Sequence, residues 1–246
     1  MKKTSRNRLL TALTAAAFAG AAALPLALSA PAQADHHAKK ATGQPTPDEA
    51  LAKLMEGNAR FVEGKNTHPN MSLERRAELA EGQAPYAIIV SCSDSRVAPE
   101  LLFDAGPGDL FIIRAAGNIV DDYGIGSVEY AAGPLASPLV VVLGHESCGA
   151  VDAAVAAEVN NADFPGRIHD IVEDIRPAVE AAMEHATGPA LLEEAISVNA
   201  VSVAKQLSRS EPILEDAVEA GTLKIVAARY DLDTGKVELI EDTHDH

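Results

Sequence analysis

The chain has 246 residues, with 36 acidic against 20 basic side chains, a net charge of −16 and 47% hydrophobic residues. That charge argues against nucleic acid and anionic membrane surfaces as partners, because both would repel it. The length allows one sizeable domain with a real core.

Lys2, Lys3, Arg6 and Arg8 precede an apolar, Ala-rich stretch from Leu9 to Ala30, and Ala32-Gln33-Ala34 has the small-residue pattern of a cleavage site. Residues 1–34 therefore read as a cleavable signal peptide. The competing reading is an uncleaved anchor, since the stretch is long enough to cross a bilayer. Cleavage would leave 16 basic and 36 acidic residues, a charge near −20, and an exported protein, periplasmic or secreted, with no membrane association. Residues 35–45 read as a flexible polar tail, and 46–246 as a single domain.

Thr46-Pro47-Asp48-Glu49 starts a helix, with a capping Thr, Pro at the first helical position and Glu completing a capping box. Leu51, Leu54, Met55, Asn58, Phe61 and Val62 follow at near-helical spacing, with Asn58 as the polar interruption. So short a helix is expected to pack on a neighbouring subunit. Ser72 opens a second, highly charged helix. The runs 86–91 (YAIIVS), 110–114 (LFIIR), 139–143 (LVVVL) and 223–230 (LKIVAARY) read as buried strands of a parallel sheet. Helices are expected between them, over 99–104, 126–132, 150–159, 168–186, 191–208 and 211–220. After the turn at 231–235, residues 236–240 alternate as an edge strand does. The fold class is α/β, a mostly parallel central sheet flanked by helices with an edge strand near the C-terminus.

Each of the two cysteines lies in a cluster of reactive side chains. The first is Cys92-Ser93-Asp94-Ser95-Arg96 and the second His145-Glu146-Ser147-Cys148-Gly149. Two thiolates and an imidazole form a borderline-soft ligand set suited to zinc, with a fourth position left open, the layout of a catalytic site. In an exported protein two cysteines also invite a disulfide. A disulfide, however, does not require Asp and Arg beside one thiol or His three residues before the other. Cys92 and His145 each follow a predicted strand, so both reach the carboxyl edge of the sheet, where open α/β sheets bind ligands. Gly117 and Gly149 are expected to allow close backbone approach or unusual dihedrals. Glu146 and Ser147 read as solvated. His68, His169 and His185 read as surface residues. His36-His37 and His244-Asp245-His246 are left out of the site.

Cys92-x-Asp94-x-Arg96, Arg114-x-Ala116-Gly117-Asn118, His145-x-x-Cys148-Gly149 and the later Tyr230-Asp231-Leu232-x-Thr234-Gly235 together resemble the motifs of beta-class carbonic anhydrases. The resemblance runs from about Leu51 to Ile240. It implies one Zn2+ per chain on Cys92, His145 and Cys148, with Asp94 and Arg96 as a catalytic dyad. The implied reaction is reversible hydration of carbon dioxide to bicarbonate and a proton by a zinc-bound hydroxide, with COS or CS2 hydrolysis as the runner-up. It also implies a homo-oligomer, dimer or tetramer. In the open form of that family the Arg holds the Asp; in the closed form the Asp occupies the fourth zinc position. Two departures stand out. Ala115 replaces a common Asn, and Ile89 takes the place of the Trp that marks a noncatalytic bicarbonate site in one subgroup. Two thiolates should also weaken the metal's pull on its water, so activity is expected to rise with pH above neutrality.

Overall fold

The computed structural model describes residues 43–241. The leader, almost all of the tail and the terminal His244-Asp245-His246 lie outside the described residues. In chain order the elements are α1 (Pro47–Val62), α2 (Leu73–Ala80), β1 (Ala87–Ser91), α3 (Pro99–Leu102) and β2 (Leu110–Arg114). A 3-10 turn (Ala116–Asn118), α4 (Asp122–Ala132), β3 (Leu139–His145), α5 (Gly149–Asn160) and α6 (Arg167–Ala182) follow. The chain continues with α7 (Ala190–Ser208), α8 (Ile213–Glu219), β4 (Lys224–Tyr230) and β5 (Val237–Leu239). Among the described residues no helix is long and apolar enough to cross a membrane.

The five strands lie in the order β2-β1-β3-β4-β5. The first three pairings are parallel, and β4 with β5 is antiparallel. Every residue of β1 and β3 is buried, which explains why these strands read as continuous apolar runs: helices cover both faces. Alternation sorts the side chains. Ala87, Ile89, Leu139, Val141 and Leu143 face a core shared with α1 and α3. Ile88, Val90, Val140 and Val142 face Val128 of α4, Leu207 of α7 and Leu214 of α8. A third apolar cluster joins α5, α6 and α7, and both cysteines border it.

Helix α1 has its capping box, Glu49 N donating to Thr46 Oγ1 at 3.3 Å and Thr46 N to Glu49 Oε2 at 2.8 Å. It packs on its own sheet. Ala50 and Leu54 are fully buried in the core with Tyr86 and Ile89, and Lys53 Nζ lies 3.8 Å above the Tyr86 ring. Helix α4 starts four residues earlier than its apolar pattern implies. Asp121 caps it, accepting from Gly124 N at 2.8 Å, whereas Gly124 and Gly126 weaken the helical pattern there.

Asn58, the polar interruption in α1, is a tie between distant segments. Its Nδ2 donates to Leu102 O at 3.1 Å and Gly235 O at 2.9 Å, and its Oδ1 accepts from Val237 N at 2.9 Å. The residue is 3% exposed, so removing the amide strands three buried backbone groups. Asn58→Ala should lower the unfolding free energy by about 3 kcal/mol, measured by denaturant unfolding. A loss below about 1 kcal/mol would show that these contacts are incidental.

Candidate metal centre

Ser91 of β1 pairs with Leu143 of β3, so Cys92 and His145 emerge side by side at the carboxyl ends of adjacent parallel strands. In the order β2-β1-β3, β1 and β3 flank the point where the chain reverses its direction of winding. Crevices at such points are where open α/β sheets bind ligands. Three residues beyond β3, Cys148 immediately precedes α5. Ligand atoms of Cys92, His145 and Cys148 all lie within 4.8 Å of one another, and all three residues are buried. Both cysteines are free thiols.

His145 shows what the cluster is built for. Its Nδ1 lies 2.9 Å from Glu146 O. A carbonyl only accepts, so Nδ1 carries the proton and Nε2 presents a lone pair. Nε2 is buried with no hydrogen-bond partner, in a residue that is 0% exposed. Left to themselves, the two sulfurs share a hydrogen bond. Receiving it from Cys148 holds Cys92 well below the usual thiol range despite burial. Gly117 N at 3.3 Å and Asp94 N at 3.4 Å add to the effect. Giving that bond to Cys92, together with burial, pushes Cys148 up. Burial opposes a charged His145, but the adjoining Cys92 sulfur outweighs it and raises the imidazole. A lone-pair nitrogen and two sulfurs of this kind fit a borderline-soft cation such as zinc.

Asp94 and Arg96 stand beside the cluster as a clamp. Arg96 Nε donates to Asp94 Oδ1 at 3.0 Å, Nη2 to Oδ2 at 2.7 Å, and the Arg96 backbone N to Oδ1 at 2.9 Å. These bonds, led by the guanidinium, hold the Asp94 carboxyl well below the usual carboxylate range. Asp94 Oδ2 is 3.9 Å from His145 Nε2. The engaged carboxylate corresponds to the arrangement described above as open. Arg114 supports the loop from beneath, donating to Cys92 O at 3.0 Å and Asp94 O at 2.7 Å. A polar cleft of about 410 Å³, bordered by Arg96, Glu146, Ser147, Tyr230, Leu232 and Asp233, opens on this side. A larger cleft of about 530 Å³, bordered by Asp121, Tyr123 and Asn199 among others, includes none of the five site residues.

The sequence readings of Glu146 and Gly149 need correction. Glu146 is half-buried rather than solvated; its Oε2 accepts from Leu232 N at 3.2 Å. Ser147 is exposed, as expected, and in addition carries a strained backbone, with φ +53°. Gly149 has ordinary dihedrals and nothing near the space a Cβ would fill, whereas Gly117 has φ +70° and a Cβ there would lie 2.5 Å from Ile175 Cδ1. The Ala115 departure costs the loop nothing in backbone bonding, because Ala115 N still donates to Ser91 O at 3.1 Å and Ser93 N to Ala115 O at 3.2 Å. Gly117→Ala should therefore destabilise the protein by about 2 kcal/mol. Gly149→Ala should stay within about 0.5 kcal/mol of the parent. Equal unfolding midpoints for the two variants would contradict the assignment.

Comparison with known proteins agrees with this geometry. The carbonic anhydrase family profile matches residues 87–237. Carbonic anhydrase 2 of Mycobacterium tuberculosis is 44% identical over 194 residues, covering 78% of this chain and 92% of the relative. The carbonic anhydrase of Mycolicibacterium smegmatis is 41% identical, covering 78% and 93%. Among solved structures, the beta-carbonic anhydrase CcaA superposes with a TM-score of 0.62 at 29% identity, covering 80% of this chain and 91% of that one. The Coccomyxa beta-carbonic anhydrase in complex with acetazolamide gives 0.61 at 26% identity, covering 77% and 86%. With a family match over most of the folded region, and relatives aligned along nearly their whole length, this chain belongs to the beta-class carbonic anhydrases.

Proposed function

We propose that the protein catalyses the reversible hydration of carbon dioxide to bicarbonate and a proton, with Cys92, His145 and Cys148 as zinc ligands and Asp94 and Arg96 as the dyad. The observation that carries this is the buried, unpartnered Nε2 of His145 within reach of two thiols. Zinc held there supplies the Lewis acidity that turns water into a nucleophile near neutral pH.

The residues divide the remaining work. Cys92 and Cys148 offset the metal's charge once the proton on Cys148 has been expelled, so metal loading is coupled to proton release. The Nδ1–H bond to Glu146 O fixes the His145 tautomer and ring orientation. Asp94 is ionised throughout the neutral range, so its oxygens only accept. It can hold the O–H of the attacking water and thereby turn the oxygen lone pair toward the carbon of CO2. Arg96 keeps Asp94 charged and prevents its rotation, by bonds to both carboxylate oxygens. The polar cleft beside Arg96 offers the approach from solvent by which the released proton can leave. Because Asp94 is held far below neutrality, a rise in activity above pH 7 belongs to the water rather than to this carboxyl.

Export and assembly belong to the same proposal. The basic start, apolar stretch and Ala32-Gln33-Ala34 support removal of residues 1–34 and a periplasmic or secreted product. Self-association is supported by apolar side chains left in the open, Tyr123 at 86%, Met71 at 70% and Leu73 at 67% exposure. The intact mass of the exported protein should correspond to a chain starting at Asp35; a mass that retains Met1 to Ala34 would overturn cleavage. Sedimentation at micromolar concentration should give a dimer or tetramer, and a fully active monomer would contradict assembly. For the chemistry, Asp94→Asn keeps the shape and removes the charge. Turnover should fall roughly 10²- to 10⁴-fold while zinc remains bound. Unchanged CO2 hydration from pH 7 to 9 in stopped flow would remove Asp94 from the mechanism.

A further inference from the structure

Helix α7 reaches both ligand-bearing segments, although these leave different strands. Toward the second segment, Glu193 Oε1 accepts from Ser147 N at 3.3 Å, and Glu193 Oε2 accepts from Arg229 Nη1 at 2.9 Å. Arg229 lies on β4, paired with Gly144 of β3. Ser147 sits between His145 and Cys148 in its left-handed conformation, and its carbonyl accepts from Arg96 Nη2 at 3.4 Å. One strained residue between two ligands is thus gripped at its N–H from α7 and at its C=O by the arginine that clamps Asp94.

Toward the first segment, Asn199 Nδ2 donates to Gly117 O at 2.8 Å, and Gly117 N donates to Cys92 Sγ at 3.3 Å. Asn199 is 3% exposed, on a helix face with buried Ala195, Ile196, Ala200 and Val203. A buried amide on such a face is unfavourable unless its hydrogen bonds are made, so its presence points to the turn it holds. The helix also has little room to shift. A Cβ on Gly144, next to His145, would lie 3.2 Å from Ile196 Cγ2 and 3.4 Å from Ile196 O.

We propose that α7 braces both halves of the metal centre, with Glu193 and Asn199 as positioning residues that hold Ser147 and Gly117, and through them His145, Cys148 and Cys92, in ligating geometry. This rests on the zinc-site reading above. Neither residue touches the reacting atoms. Both act on how firmly the metal is held, as partners of metal ligands generally do.

The test uses the full zinc-loaded protein. Zinc transfer to an excess of chelating dye is timed for the wild type, Glu193→Ala, Glu193→Gln, Asn199→Leu and the exposed control Gln206→Ala, alongside thermal unfolding and the absorption spectra of cobalt-substituted samples. Glu193→Ala and Asn199→Leu should release zinc roughly 10- to 100-fold faster and shift the sulfur-to-cobalt bands. Glu193→Gln, which keeps an acceptor for Ser147 N–H, should recover most of the wild-type rate, and Gln206→Ala should match it. Wild-type release rates in both Glu193→Ala and Asn199→Leu would overturn the brace. So would faster release that merely follows a lowered unfolding temperature with unchanged cobalt spectra. A wild type that binds neither zinc nor cobalt would overturn the metal-site reading, and the brace with it.

Discussion

Two thiols and an imidazole nitrogen buried within 4.8 Å of one another strain a protein interior unless something positive lies between them. The nitrogen lone pair has no donor to meet it, and the two sulfurs can share only one proton favourably. A cation relieves all three groups at once. The surrounding fold is arranged so that they cannot move apart instead. Cys92 is tethered by the register of β1 against β3 and by the Gly117 amide. His145 is the last residue of a fully buried strand, and Cys148 sits against the apolar cluster of α5, α6 and α7.

The dyad extends the same constraint toward solvent. Asp94 is two residues from one candidate ligand, and Arg96 reaches across to Ser147 between the other two. The residues that would orient the reacting water are therefore tied to both ligand segments. The polar cleft beside Arg96 and the apolar cluster behind the thiols give the site one wet side and one dry side. A dry back wall strengthens the electrostatic interactions the chemistry relies on.

Much of this was legible in the sequence because the informative patterns are local. Short runs rich in apolar residues marked β1, β2, β3 and β4. Thr46, Pro47 and Glu49 gave the start of α1. The clusters around Cys92 and His145, each directly after a strand, put the candidate ligands at one sheet edge. Features that depend on partners far along the chain were not legible. The strand order that makes β1 and β3 neighbours is one. Asn58 looked like a flaw in an apolar stripe because its partners are Leu102, Gly235 and Val237. The burial of Ala50 and Leu54 of α1 is another, because the sheet they pack on is built from strands more than twenty residues away. Glu193 and Asn199 lie in a long helix whose sequence gives no sign that it touches Ser147 and Gly117. The left-handed Ser147 carries no glycine to announce it.

The central claim is that Cys92, His145 and Cys148 together hold one zinc ion with a fourth position left for water. X-ray absorption at the zinc edge of the loaded, full-length protein tests this most directly, with Cys148→Ser as its comparison. The account predicts one zinc per chain with two sulfur neighbours at about 2.3 Å and the rest nitrogen or oxygen at about 2.0–2.1 Å, and one sulfur neighbour at most in the variant. A wild-type shell of nitrogen and oxygen only, or an unchanged two-sulfur shell in Cys148→Ser, would contradict it.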